Sequence, residues 1–436
     1  MADVVVIGGG LAGSEASWQL AERGVNVALY EMRPVKQTPA HQTGYLAELV
    51  CSNSLGSNVP DRAPGLLKTE LEMLNSLILT CAQASTVPAG GALAVGREEF
   101  ARLVTTRVES HPLIEVHREE VEYVAKERVT IIASGPLTSD ALAREIARLA
   151  GADQLYFYDA LAPIVKEDSL DFSKVFRAAR YGRGGDDYIN CPMDREEYEC
   201  FVEALVAAET IPLRGFEASD KKFFEACLPV EVIASRGEKA LAYGPLRPVG
   251  LTDPRTGRRP WAVVQLRQDN LAASLYNLVG FQTNLRWKEQ ERVFRLIPGL
   301  EHAEFVRFGQ MHRNTFVNSP ALLEPTMQFR GDPLLFLAGQ LVGMEGYMAS
   351  TASGMVAGLN AARYLQGQDL LVFPATTMIG ALCRYVSSAV ITDFQPMKPN
   401  FGLLPEIEQP LKKRDKRESL RNRALSDLQQ FAAAHL

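Results

Sequence analysis

The sequence predicts an α/β fold built on a parallel sheet, and three observations within the first 31 residues predict it. An apolar run, Val4 to Ile7, leads directly into G-x-G-x-x-G at Gly8, Gly10 and Gly13. A stretch with helical spacing follows. A second apolar run, Val25 to Tyr30, then ends at Glu31, eighteen residues after Gly13. Strand, glycine turn, helix, strand and acid fall in order within one βαβ unit.

Each part of that unit has a physical task. Gly8 allows the tight turn out of the first strand, and Gly10 lets the backbone approach a pyrophosphate closely. Gly13 lets helix and strand pack tightly. Gly9, Leu11 and Ala12 complete the turn, where the helix N-terminus points N–H groups at phosphate charge. Glu31, at the tip of the second strand, is placed to hydrogen-bond a ribose hydroxyl. An acid there favours a free 2′-hydroxyl, as in FAD or NAD, over a 2′-phosphate.

The chain has 436 residues, so about 150 residues per domain gives two or three domains. A hydrophobic content of 47% supports a sizeable core. The net charge of −6 argues against a basic nucleic-acid coat but leaves room for a local basic face. Six scattered cysteines are too few for a disulfide scaffold, and no C-x-x-C pair exists for zinc. The N-terminus enters a strand at once without a signal-peptide pattern, and no apolar run is long enough to span a membrane. A cytoplasmic protein with reduced thiols is expected, with no membrane partner.

Residues 32–65 form a long turn-rich segment holding Pro34, Pro39, Pro60 and Pro64, and such a segment is usually functional or disordered. Residues 66–80 and 96–110 show helical periodicity, and IEVHREEVEYVA and RVTIIASGP read as strands. Residues 136–320 change character, with short strand-like runs between helices and Arg/Gly/Pro loops, and are expected to form an inserted α/β domain. The expected division is 1–135 for the first part of the nucleotide-binding domain and 136–320 for the insert. Residues 321–366 then form the second part, and 367–436 a helical tail. PLLFLAG (333–339) is a strand meeting a glycine, and 349–365 is a helix rich in Gly, Ala and Ser that permits close approach to a cofactor or to the sheet.

FAD and NAD are separated by features far from the fingerprint. The N-terminal glycine motif, the mid-chain TIIASGP strand and the late LFLAGQ turn together resemble the glutathione-reductase-like FAD-binding Rossmann fold. That resemblance places Gly339 and Gln340 near the flavin. Two cysteines, Cys51 in LVCSNS and Cys227 in FFEACLPVE, have polar, loop-like flanks. Cys227 has Lys221, Lys222 and Arg236 nearby in sequence, and cations lower a thiol pKa. Cys81, Cys200 and Cys383 lie in helix-like apolar patterns and read as buried small hydrophobes.

Several long motifs, in one order from residue 3 to about 400, closely resemble the folate- and flavin-dependent tRNA (uracil-5-)-methyltransferases. They include YEMRPVKQTPAH (30–41), ELVCSNSLGS (48–57), YGRGGDDYINCPMD (181–194), FEACLPVEVIASRGEKALAYGPLRPVGL (224–251) and AGQLVGMEGYMASTASG (338–354). The resemblance implies FAD as cofactor, methylenetetrahydrofolate as one-carbon donor and NAD(P)H (NADH or NADPH) as reductant. The implied product is 5-methyluridine in the tRNA T-loop. It also implies Cys227 as nucleophile on uracil C6 and Cys51 as a flavin-side acid/base or protecting group, two roles that could be exchanged. His312, in GQMHRNT, resembles the residue that stacks on the folate pterin, and Glu345 and Tyr347 are candidates for the base that takes the C5 proton. A related branch that modifies the tRNA wobble uridine shares the fold and is usually longer.

tRNA binding needs local positive charge. Arg177, Arg180 and Arg183 lie in a glycine-rich loop, and Arg255, Arg258 and Arg259 in PRTGRRP. Arg286, Lys288, Arg292 and Arg295 surround Trp287, and LKKRDKRESLRNR (411–423) has seven basic residues against two acidic ones. A target base inside a folded T-loop must leave its stack to react. The residues alone also fit a small-molecule flavin oxidoreductase with structural arginines, or an RNA-binding protein that keeps FAD as a structural element.

Overall fold

The computed structural model describes residues 2–151, 155–182, 184–211, 228–388, 394–407 and 413–436. Five parallel strands form the first sheet, in the order Leu335–Leu337, Val129–Ile132, Val4–Ile7, Val27–Tyr30, Ile114–His117. The first strand is therefore central. The chain leaves it to one side for Val27–Tyr30 and reaches the other side only at Val129. A crevice opens at the carboxyl ends of strands where the order reverses in this way, and the glycine turn sits in it.

The helix Leu11–Ala21 follows the turn. The late helix Tyr347–Leu365 lies against it through glycine. A Cβ on Gly354 would come 2.1 Å from the Ala12 carbonyl oxygen, and one on Gly358 would come 2.7 Å from that of Ala16. The small residues of that helix thus serve a backbone-to-backbone approach between two helices that sequence separates by more than 300 positions.

The 66–80 periodicity resolves into two helices, Ala63–Met73 and Leu77–Ala84. Asn75 breaks them with φ 56, a left-handed conformation that Asn tolerates. Ser76 caps the second helix by accepting from Leu79 N at 3.2 Å and donates its hydroxyl to buried Glu15 at 2.7 Å. Apolar periodicity runs through such a break, because a polar cap changes the backbone without changing the buried face. Residues 32–65 are held by Arg33, which is 1% exposed and ion-paired to Glu31 at 2.8 Å and Glu48 at 3.2 Å.

A second sheet has six strands, all antiparallel, in the order Phe176–Arg177, Tyr188–Met193, Ala262–Gln268, Leu275–Leu278, Ile164–Lys166, Phe305–Arg307. Side chains alternate across its faces. Ile189, Cys191, Val264, Leu266 and Leu278 enter a core with Phe201, Val293 and Phe294 from the helices Arg195–Val206 and Trp287–Phe294. The opposite face carries Asn190, Gln265, Arg267 and Asn277, which are also buried. A polar sheet face buried in this way needs hydrogen-bonding partners from elsewhere, and Ser52 and Asn53 of the 49–53 loop supply part of them.

The C-terminal region contributes Met378–Ser387 and Lys413–His435, with Leu420, Ala424 and Leu428 buried in the first core. Glu70 accepts the Met378 and Ile379 N–H groups at 2.7 and 2.9 Å, satisfying the start of that helix. Burial raises its carboxyl to about 8 despite those donors, from an ordinary value of 4.5. Between these values the folded chain holds a proton that the unfolded chain releases, so stability falls as pH rises. Urea unfolding from about pH 5 to about pH 8 is expected to show that decline, with Glu70→Gln flattening it. Equal slopes for parent and variant would remove Glu70 as the cause.

Candidate functional site

A cleft opens at the crevice. Gly8, Gly10, Leu11, Ala12 and Glu31 line one side, and Gly339, Gln340, Tyr347 and Ser350 another. Gly8 has φ +105, and a Cβ there would lie 2.6 Å from the Ala133 carbonyl oxygen, so the turn requires glycine. Gly13 packs so closely that its Cβ would fall 1.8 Å from the Gly8 carbonyl oxygen. A Cβ on Gly10 would meet nothing within 4 Å. Gly10 thus leaves open space above a helix N-terminus that no side chain caps. Gly346, with φ +99, starts the second helix, also without a side-chain cap. Two uncapped helix N-termini facing one cleft supply N–H donors and positive potential for an anionic dinucleotide.

Glu31 is buried at the cleft wall. Its Oε2 accepts from Gly9 N at 2.9 Å and its Oε1 from Arg33 N and Nε at 3.0 and 2.8 Å. Burial opposes ionisation, but the Arg33 guanidinium and the N–H donors outweigh it and hold the carboxyl below its usual range. A carboxylate offers about four acceptor positions, so these three bonds leave capacity for a ribose hydroxyl. Sequence reading passed over Arg33, Glu48 and His41 as functional residues, although the EMRP run placed Arg33 two residues from Glu31. His41 lines the cleft against Thr38 Oγ1 at 2.6 Å. Burial and then the Arg33 charge lower its pKa to about 4, so its ring is neutral at physiological pH.

Cys51 follows Val50, which lines this cleft, and itself lines a second one. Its N–H donates to the Tyr347 hydroxyl at 3.0 Å. The second cleft is lined by Cys51, Ser52, Arg267, Asn277 and Gln282. The loop between the clefts is fastened to the second sheet. Arg267 donates to Asn53 Oδ1 at 2.9 Å and Ser52 Oγ at 2.7 Å, and Asn277 donates to Asn53 Oδ1 at 3.0 Å. Arg97 pairs bidentately with Asp269 and also donates to the carbonyls of Leu49 and Cys51. Burial opposes both charges, yet each partner's charge prevails: Arg97 is shifted upward and Asp269 downward. No sequence signal distinguished these residues from ordinary surface polar groups.

Other expected residues fall as follows. Gly339 has φ +86, and its N–H donates to Ser353 Oγ at 2.7 Å. Gln340 donates to Glu345 Oε2 at 2.6 Å. Cys227 and Arg183 lie outside the described residues. His312 lies on the strand Met311–Phe316, paired with Leu155–Ala160, and its side chain lies outside the described ones. Cys81 and Cys383 are buried, which raises their thiols to about 11 and about 12. Cys200 is exposed, because its helix turns that position to solvent, and this corrects its assignment to the core. Among the basic residues, Arg177, Arg255, Arg286 and Arg292 pair with Glu167, Asp253, Glu209 and Glu289, while Arg258, Arg259 and Lys288 are exposed. The described part of the basic tail sends Arg423 to the Pro405 and Glu406 carbonyls.

A parallel sheet with a glycine turn and two uncapped helix N-termini around one cleft defines a Rossmann-type dinucleotide-binding protein. The family model described as glucose inhibited division protein A matches residues 3–369. Relatives named methylenetetrahydrofolate–tRNA-(uracil-5-)-methyltransferase TrmFO are similar throughout. That of Pelotomaculum thermopropionicum is 58% identical over 98% of both chains. That of Moorella thermoacetica is 60% identical over 96% of this chain and 95% of its own. The chain therefore belongs to the glucose inhibited division protein A family and, within it, to the TrmFO group. A solved structure of Aquifex aeolicus GidA has the same fold, with a TM-score of 0.71 at 16% identity over 98% of this chain and 73% of that one.

Two outcomes test this geometry. Gly10→Val is expected to fold, because its side chain enters open space, yet to purify without bound dinucleotide. A stoichiometric dinucleotide in that variant would show that the space above Gly10 is not the phosphate site. Arg97→Met leaves Asp269 buried without its cation and is expected to cost about 3–5 kcal/mol in denaturant unfolding. A loss under about 1 kcal/mol would show the pair to be solvated rather than anchoring.

Proposed function

We propose that this chain is a methylenetetrahydrofolate- and FAD-dependent tRNA methyltransferase that forms 5-methyluridine in the T-loop, with NAD(P)H as reductant. The observation that carries the proposal is near end-to-end identity of 58–60% with relatives bearing the corresponding name. The cleft fits FAD. Gly8 to Gly13 would cradle the pyrophosphate, Glu31 would take the ribose, and Gly339 and Gln340 would lie toward the flavin. FAD, when bound, supplies the electrons that take a transferred methylene unit to methyl.

The chain's own residues perform the remaining steps. The thiolate of Cys227 adds to uracil C6, and the displaced electron pair makes an enolate whose C5 is nucleophilic. After C5 gains its one-carbon unit, a base removes the C5 proton and the thiolate leaves, restoring the ring. Cys51 acts on the flavin side as acid/base or protecting group. These two assignments are interchangeable by chemistry. Tyr347, at the cleft beside Cys51, and Glu345 are the proposed bases, and His312 is proposed to stack on the folate. Exposed Arg258, Arg259 and Lys288 fit tRNA phosphate contact. Among the described residues no helix is long and apolar enough to cross a membrane, and the enzyme is proposed to act in the cytoplasm.

Purified protein is expected to form 5-methyluridine in a T-loop transcript only when methylenetetrahydrofolate and NAD(P)H are both present. Cys227→Ala should retain bound flavin and lose methylation. Full methylation by that variant would remove Cys227 from the reaction. Rapid NAD(P)H oxidation by the parent with unmodified transcript would instead favour a small-molecule oxidoreductase.

A further inference from the structure

Tyr181 lies in the glycine-rich loop of the inserted domain with φ 59 and ψ 21. A left-handed backbone is strained for a residue with a bulky side chain and persists only where its surroundings hold it. Here they do. Tyr181 N donates to the Gly250 carbonyl at 2.9 Å. The preceding Arg180 donates to the carbonyls of Arg247 and Val249 at 2.6 and 2.9 Å, and its Nε to Gln265 Oε1 at 2.7 Å. Three carbons of the Tyr181 ring lie 3.0 Å from where a Cβ on Gly250 would stand, so glycine is what lets the ring seat there. The remainder of the ring is open, and Tyr181 is 61% exposed. Burial therefore does not account for its fixed position.

The ring is also tied to the Cys51 side of the molecule. Gln265, which holds Arg180, is two residues from Arg267 on the same strand and face, about 7 Å away. Arg267 touches Ser52, next to Cys51, at 2.7 Å. Farther along the loop, Asp187 accepts the Gly90 N–H at 2.6 Å and Tyr188 donates to the Ala89 carbonyl at 2.9 Å, fastening the segment to the first domain. Asp187 is thereby turned onto a backbone N–H. Arg247 is exposed, and both it and Tyr181 lie close enough to Arg180 to act on its charge.

We propose that Tyr181 is a platform on which an unpaired base of the RNA substrate stacks, with Arg247 beside it to meet a flanking phosphate. A fixed, open aromatic face next to cations is the arrangement by which single-stranded nucleotides are held, because every base has a stackable face. The inference rests on the RNA-methyltransferase reading and adds to it the partner of the extruded strand.

Methylation kinetics on a T-loop transcript with full-length flavin-loaded protein test it, using Tyr181→Ala, Tyr181→Gly and Tyr181→Phe. Glycine adopts the left-handed backbone without strain, so Tyr181→Gly separates loss of the ring from loss of the fold. The Ala and Gly variants are expected to raise KM for the transcript about tenfold, with flavin content and unfolding midpoint as in the parent, while Phe keeps the parent KM. Parent KM in Ala and Gly, an equal loss in Phe, a rise confined to KM for methylenetetrahydrofolate, or loss of flavin in all three would each overturn the platform. If the parent itself does not methylate, the broader reading fails instead. Transcript binding by fluorescence anisotropy then reads the same three variants.

Discussion

The site depends on the buried polar face of the six-stranded sheet meeting the 49–53 loop. Arg97 and Asp269 form the charged part of that contact, and Arg267, Asn53 and Asn277 the neutral-to-charged part. Removing these groups from water is costly, and only bidentate, fully hydrogen-bonded geometry offsets it. A one-residue shift of the sheet would turn Gln265 and Arg267 toward the apolar core and Val264 and Leu266 toward the loop. The contact therefore fixes register as well as docking. Because Arg97 also holds the Leu49 and Cys51 carbonyls, the position of Cys51 follows from the same set of bonds.

The dinucleotide cleft obeys a different logic. Gly8, Gly10 and Gly13 act through what they lack: a side chain at Gly13 or Gly8 would strike backbone, and one at Gly10 would enter the open space above the helix N-terminus. Gly354 extends this to the second helix, whose close approach to Ala12 brings Gly339, Gln340 and Tyr347 to the same cleft. Glu31 works in combination with Arg33 and Glu48, so the acid of the fingerprint is also the anchor of the loop that leads to Cys51.

These two arrangements explain what was legible beforehand. The βαβ unit, the late LFLAG strand and the small-residue helix were readable because each is a local pattern with a steric cause. The break at Asn75 was not, since a capped turn leaves apolar periodicity undisturbed. Cys200 was misplaced because helical spacing alone does not say which face of the helix meets the core.

By itself the sequence determined the glycine turn, its acid and the family motifs, because steric exclusion and short-range order act between neighbours in the chain. The tertiary structure alone decided that Arg97 meets Asp269, that Arg267 meets Asn53, and that Tyr181 is held open beside Gly250. Each of those joins residues 69 to 214 positions apart. An arginine or tyrosine in a loop looks the same in sequence whether water or a buried partner completes its hydrogen bonds.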